Sequence, residues 1–146
     1  MPEYTTFRHN TTLLASAART ATGNNQTATQ TAQQGIGPFR WASIMLNATA
    51  ASGSSPTLNV RIQLLLPDDS TWMDFVSFPQ LTSTGNRVAI KSFPTAADDS
   101  IVTPGSGALT ANTEIAVPLG GEWAAHWTIG GSSPSFTFAI FVDFFA

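Results

Sequence analysis

The sequence predicts an all-β fold, an antiparallel β-sandwich of jelly-roll type built from eight or nine short strands. Apolar and polar residues alternate in most segments, as at Leu58, Val60 and Ile62, which places the apolar ones on one face of a strand. Turn signals rich in Gly, Pro, Asn and Asp separate these segments. No segment has the apolar spacing of a convincing amphipathic helix. An immunoglobulin-like sandwich is an alternative within the same class.

The N-terminal part predicts an arm followed by weak strands. Residues 1–12 contain Pro2 and several Thr without clear periodicity, so we expect an arm that depends on a neighbouring molecule for its order. Residues 12–21 favour a strand, and the Thr/Gln/Ala tract at 26–34 favours a polar edge strand. The remaining chain, 13–146, is short enough for a single sandwich domain.

A Gly-Ser-Ser-Pro motif occurs twice, each time before an alternating segment. Residues 53–64 read GSSPTLNVRIQL, and residues 131–142 read GSSPSFTFAIFV. We interpret each motif as a turn. This interpretation predicts one hairpin of 39–50 with 57–66, and a second in which 123–129 leads through its motif into the terminal strand. The repeat favours two related sheets that face each other.

The segment between the two copies predicts a meander followed by a long loop. Residues 67–70 form a tight turn, after which an aromatic strand containing Trp72 and Phe75 returns towards the core. Residues 87–90 predict a short strand. Pro, Gly and an acidic pair then interrupt the pattern, so we expect a long loop over 91–113, a length typical of functional or partner-binding loops.

The terminal strand is apolar on both faces. Phe144 continues the alternation of the second repeat, whereas Phe141 and Phe145 lie on the opposite face. Such a strand is either central between two layers or buried by another subunit.

The composition limits the classes of partner. Only 10% of the 146 residues are charged, against about 25% in a typical protein, and the net charge is −3. A nucleic-acid-binding surface would need clustered Lys and Arg, so we expect no nucleic acid. A neutral polar surface is weak at keeping copies apart, so we expect a homo-oligomer. No apolar run reaches a membrane span, the start shows no leader pattern, and cysteine is absent, so we expect a soluble protein without disulfides.

No catalytic, metal or cofactor site stands out. His9 and His126 have no partner that the sequence suggests, and the serines lie outside a nucleophile elbow. Asp68-Asp69 fits a turn cap, and Asp98-Asp99 lacks the ligand spacing of a calcium loop. Several acids could form a glycosidase pair, without specificity: Asp74, Glu114, Glu122 and Asp143. Three tryptophans could offer a platform for sugars, although strand tryptophans are more often core: Trp72, Trp123 and Trp127. We therefore expect a non-enzymatic protein without cofactor.

Two stretches of the chain, 41–90 and 120–142, resemble small virion structural proteins of tailed bacteriophages. The resemblance lies in three motifs that recur in that family in the same order. Residues 53–63 read GSSPTLNVRIQ, residues 69–75 read DSTWMDF, and residues 127–138 read WTIGGSSPSFTF.

The resemblance implies a non-catalytic β-sandwich of the head decoration or minor capsid type, often a trimer. Its expected role is that of a capsid decoration (cement) protein, made in the host cytoplasm, that binds the major capsid protein or other virion proteins on the capsid surface. We expect the arm to contact the capsid through Tyr4, Phe7 and Arg8, and subunits to pack through Phe141 and Phe145. Many modest contacts, multiplied by valency, suffice for such binding.

Three other functions remain open. A receptor-binding component of a phage tail or fibre would use exposed tryptophan and the long loop to bind carbohydrate. A lattice-forming shell or surface-layer protein would share the neutral surface. A hydrolase would require two carboxylates that converge in space.

Overall fold

The described part of the chain forms seven strands. The computed structural model describes residues 8–26, 41–92, 111, 113–114 and 121–145. Within these ranges every strand pair is antiparallel and no helix is present, so the prediction of an all-β antiparallel fold is confirmed. The strands are β1 (Arg8–Arg19), β2 (Gly23–Asn24), β3 (Trp41–Leu65), β4 (Trp72–Ser77), β5 (Gly85–Ser92), β6 (Thr113–Glu114) and β7 (Trp123–Phe145).

The two predicted hairpins are wrong, because the Gly-Ser-Ser-Pro motifs lie inside strands. β3 spans 25 residues and β7 spans 23, and the two strands pair with each other from Trp41 opposite Phe145 to Leu64 opposite Trp123. The segments predicted to form two hairpins are thus the halves of two long strands. Each motif interrupts the regular register of the β3–β7 ladder, as β-bulges do.

Both motifs adopt the same backbone conformation at the same level of the sheet. Gly53 has φ 107° and Ser55 has φ 48°, while Gly131 has φ 114° and Ser133 has φ 48°. These values lie in the left-handed region, which glycine adopts without steric cost. Ser54 lies opposite Ser132, so the two copies of the repeat are paired with each other across the β3–β7 ladder. The sequence repeat is therefore a local twofold relation between the long strands.

β7 doubles back at its motif. The rings of Trp123 and Phe144 have centroids 5.2 Å apart, and those of Trp127 and Phe138 are 5.8 Å apart. In a straight strand, Trp123 and Phe144 would be separated by about 70 Å. The N-terminal and C-terminal halves of β7 therefore contact each other through these rings.

We name the two parts of the folded sheet by their strands. The first half-sheet contains β1, the C-terminal half of β7, the N-terminal half of β3, and β5. The second half-sheet contains β2, the N-terminal half of β7, the C-terminal half of β3, β4 and β6. β1 and β5 are at opposite sides of the first half-sheet.

One core contains buried side chains from both half-sheets. Its fully buried side chains include the alternating residues on which the fold prediction rests: Ile44, Leu46, Leu58, Val60, Ile62, Phe136, Phe138 and Ile140. Burial of each such side chain stabilises the fold by about 1.5–3 kcal/mol.

The structure changes two predicted boundaries. Residues 8–12, assigned to the arm from the sequence, form the first part of β1 and pair with the end of β7. Lys91 and Ser92, assigned to the long loop, belong to β5, and Thr113 belongs to β6. Residues 1–7, and most of the predicted loop and polar edge strand, lie outside the described ranges. In those ranges no helix is long and apolar enough to cross a membrane.

Candidate interaction surface

The outer face of the first half-sheet carries a cluster of apolar side chains. Strand alternation places every second residue away from the core, and the register aligns Trp41 with Phe145 and Met45 with Phe141. On the other side of β3, Met45 is aligned with Val88, and Ser43 with Ile90. The apolar members of this outer face are Trp41, Met45, Val88, Ile90, Phe141 and Phe145.

Three of these side chains are strongly exposed. Trp41 exposes 45% of its surface, Val88 56% and Ile90 54%. Phe141 and Phe145 are half-buried among their strand neighbours. Large apolar side chains grouped on one flat face mark interaction sites more often than isolated ones do. This face is therefore the candidate interaction surface of the described chain.

A polar rim borders the apolar cluster on the β1 side. The Arg8 Nε donates to both carboxylate oxygens of Asp143 at 2.9 Å, and its Nη2 contacts Oδ2. Asn10 Nδ2 donates to Asp143 Oδ1 at 3.2 Å. The hydrogen bond from Arg8 holds the pKa of Asp143 below its usual value, and the same contact raises the pKa of Arg8. Asp143 is thus compensated within its own subunit.

The structure brings together some of the predicted site residues. Phe141 and Phe145 lie on this face in the same strand, with Asp143 between them, and Arg8 of β1 lies opposite Phe145. Tyr4 and Phe7 lie outside the described residues. The sequence analysis missed Val88 and Ile90, although their alternation in the short predicted strand placed them on a common face.

A second cluster, which the sequence did not predict, lies on the outer face of the second half-sheet. Asp74 is 1% exposed, and its carboxylate accepts a hydrogen bond from Gln63 Nε2 at 2.6 Å. Arg61 Nη1 lies 3.6 Å from the other carboxylate oxygen. Gln26 Nε2 in turn donates to Gln63 Oε1. Alternation at Arg61 and Gln63 is consistent with a polar face, but only the tertiary structure shows that Gln63 and Asp74 on this face are buried.

Three of the four acids that could have supplied a glycosidase pair lie near different cations. Asp74 contacts Arg61, Asp143 contacts Arg8, and Glu114 Oε2 lies 3.7 Å from Lys91 Nζ. Among the described residues, no group of three or more His, Cys, Asp or Glu could hold a metal ion.

Asp68 caps a turn, and two of the three tryptophans considered for a sugar platform are buried. Asp68 Oδ1 accepts from the backbone N–H of Ser70 and Thr71, and hydrogen bonds with Thr71 lower the pKa of Asp68 to about 2. Trp123 and Trp127 are buried, whereas Trp72 is half-buried. Asp98 and Asp99 lie outside the described residues.

A cleft of about 340 Å³ opens beside β5, between the two half-sheets. Val76, Phe78, Val88, Ile90 and Glu114 contribute to its lining. The cleft adjoins the apolar outer face through Val88 and Ile90.

His126 lies in the second cluster, between Asn24 of β2 and Arg61 of β3. Its Nδ1 is buried and has no hydrogen-bond partner among the described residues. Burial and the nearby Arg61 lower the pKa of His126 below 6.5, an effect that Asp74 partly opposes.

We expect acidification to destabilise the protein through His126. Because the folded-state pKa is below the unfolded value, this contribution to stability is fully present above pH 6.5 and is lost as pH falls from there towards the folded-state pKa. Urea titrations at several pH values between about 7.5 and 5 should show this decline in the parent protein and a smaller decline in His126→Gln. Equal slopes for the two proteins would contradict the assignment.

No protein-family model, curated protein or solved structure matches this chain.

Proposed function

We propose that the protein is a non-enzymatic structural component of a bacteriophage virion, most specifically a decoration (cement) protein that binds and stabilises the capsid lattice. The folded sheet is, in this proposal, a β-sandwich of jelly-roll type formed by one domain. The protein acts on the outer surface of the capsid, where its partners are the major capsid protein or other virion proteins. It forms a homo-oligomer, for which the resemblance implies a trimer.

One observation carries this proposal: the described chain presents exposed apolar side chains on one side of a sheet. Trp41, Val88 and Ile90 are exposed by about half of their surface on one side of the first half-sheet. Such a surface fits an assembly protein, because extended contacts between proteins bury flat faces, whereas small ligands occupy concave sites. The low charge of the chain and the resemblance of residues 41–90 and 120–142 give independent support.

A capsid-binding arm would end just before Arg8, the first residue of β1. The bidentate contact of Arg8 with Asp143 anchors this residue at the corner of the outer face. The arm is therefore best limited to residues 1–7, with Tyr4 and Phe7 as its contact residues.

Sedimentation with empty capsids of the parent phage tests the proposal. We expect the full chain to bind saturably at many copies per capsid, and a variant lacking residues 1–7 to lose this binding while its unfolding midpoint is retained. Capsid binding should be lost because, in this proposal, the arm supplies the contact between each subunit and the capsid. The lattice repeats this contact many times, which makes the overall binding strong.

Two outcomes would count against the proposal. A full chain that does not bind capsids would oppose the decoration function. A truncated chain that binds as well as the full chain would oppose the role of the arm.

The second candidate function is carbohydrate or receptor binding in a phage tail or fibre, and Trp72 is the residue that favours it. Of the three tryptophans considered for a sugar platform, it alone is not buried, and it pairs with Leu65 beside Gln63 and Asp74. Binding to a glycan array, abolished by Trp72→Ala and retained by Trp41→Ala, would favour this function.

A further inference from the structure

We propose that the outer face of the first half-sheet packs against the same face of a second copy of this chain, about a twofold axis that runs across the strands. This inference rests on the proposed assembly function and names the partner and geometry of its surface. The contact would join Val88 and Ile90 of one copy to the β5 residues of the other.

The shape of the face favours another sheet as its occupant. Its four strands are spaced by about 4.8 Å and span about eight residues at roughly 3.3 Å each, which gives a projected area of roughly 500 Å² before side-chain relief is counted. A stable interface buries about 800 Å² of accessible surface on each partner. Side-chain relief makes the accessible area of the face larger than its projected area, so a contact approaches that value only when nearly the whole face is covered. A second sheet packed on top would cover it in this way.

The distribution of polar and apolar side chains selects the orientation. Val88 and Ile90 lie on β5 at one side of the face, whereas Arg8, Asn10 and Thr12 lie on β1 at the other side. An axis across the strands places β5 against β5 and β1 against β1. The apolar residues of β5 then meet each other, and the polar residues of β1 meet each other.

An axis parallel to the strands would give the opposite result. It would place Arg8, Asn10 and Thr12 of one copy against Val88 and Ile90 of the other. Burying charged groups against aliphatic side chains is costly unless every partner is satisfied. The axis across the strands is therefore favoured.

This geometry predicts a dimer in place of the trimer that the resemblance implies. A contact between identical faces is isologous and is complete when two copies have joined. The polar rim on β1 then lies at the border of the contact, as polar residues do in protein interfaces.

Single-cysteine variants test the orientation directly, because the chain contains no cysteine. Val88→Cys should form covalent dimers in high yield with a bis-maleimide whose spacer is about 10 Å, the separation of packed sheets. The matched control is Thr82→Cys, an exposed position in the turn before β5, which should remain monomeric on denaturing gels. Crosslinking of Val88→Cys to Thr12→Cys in a mixture, without crosslinking of Val88→Cys to itself, would overturn the proposed axis.

Light scattering on Val88→Lys tests the contact itself. Val88 is exposed, so this variant should fold normally, and its dimer dissociation constant should rise by about tenfold or more because each contact would bury two lysines. Phe141→Asp should have the same effect, whereas Asn59→Asp, on the outer face of the second half-sheet, should leave the dimer intact. A parent protein that is monomeric or trimeric, or a Val88→Lys variant as dimeric as the parent, would overturn the inference.

The capsid assay separates this inference from the function on which it rests. A monomer that coats capsids would overturn the twofold contact and leave the decoration function standing. A dimer with the expected crosslinks that ignores capsids would support the contact and oppose the decoration function.

Discussion

Replacing Trp123 with Ala is expected to lower the free energy of unfolding by about 3–5 kcal/mol, the usual cost of removing a large aromatic side chain from a core. Trp123 is completely buried. Its ring centroid lies 4.9 Å from that of Phe75 and 5.2 Å from that of Phe144. Phe75 belongs to the second half-sheet and Phe144 to the first, so the cavity would open where the two parts of the folded sheet meet.

Urea denaturation followed by circular dichroism measures this loss, and Trp123→Phe is the matched control. The control keeps an aromatic ring between Phe75 and Phe144 and removes an indole N–H that has no hydrogen-bond partner among the described residues. We expect Trp123→Phe to lose clearly less stability than Trp123→Ala, because it keeps an aromatic ring in the core. Removal of the indole N–H breaks no hydrogen bond among the described residues. A small effect of Trp123→Ala would show that the half-sheets are not held together at this point.

Gly53→Ala is expected to destabilise the fold by about 2–4 kcal/mol, through backbone strain and overpacking. Gly53 has φ 107°, and a Cβ atom there would lie 2.7 Å from the Ser133 carbonyl oxygen and 2.9 Å from Pro134 Cα. Both are backbone atoms of the other repeat, which cannot move without disturbing the β3–β7 ladder. Thermal unfolding should therefore show a large decrease in melting temperature.

Gly131→Ala should have a similar effect, since its Cβ would lie 2.7 Å from the Ser55 carbonyl oxygen. The two substitutions together should cost less than the sum of their separate effects, because both disturb the same pair of bulges. Gly85→Ala is the control for backbone strain alone: Gly85 also has a positive φ, 157°, but a Cβ there would lie 3.6 Å from Leu81 Cδ2, an ordinary contact distance. If Gly53→Ala were no more destabilising than the control, the close approach of the two motifs would be wrong.

The local alternation of residues was sufficient to predict which side chains share one face of a strand. The alternation at Phe136, Phe138 and Ile140 identified a buried face, and all three residues are completely buried. The turn at Asp68 was likewise evident, because its carboxylate caps backbone groups only two and three residues away. Phe141 and Phe145 were assigned to the face opposite Phe144 for the same reason, because successive side chains of a strand point to opposite sides.

The partners of the strands were not evident from the sequence. Alternation states which side chains share a face, but it carries no information on which strand lies alongside. Gly-Ser-Ser-Pro contains turn residues, so a local hairpin was the simplest interpretation. Two copies of the motif can instead form bulges in two paired strands, and the contacts between Gly53 and Ser133 exist only after distant segments meet.

The sequence by itself thus determined the all-β antiparallel class, the buried faces of segments 58–64 and 136–142, and the apolar character of the terminal strand on both sides, because these properties depend on the local geometry of the chain. The tertiary structure alone decided that β3 pairs with β7, that both strands continue through their motifs, that Asp74 is buried beside Gln63, and that Val88 and Ile90 extend the surface of Phe141. Each of these features depends on which remote segment covers or adjoins a strand, and that choice is made by packing across the whole chain.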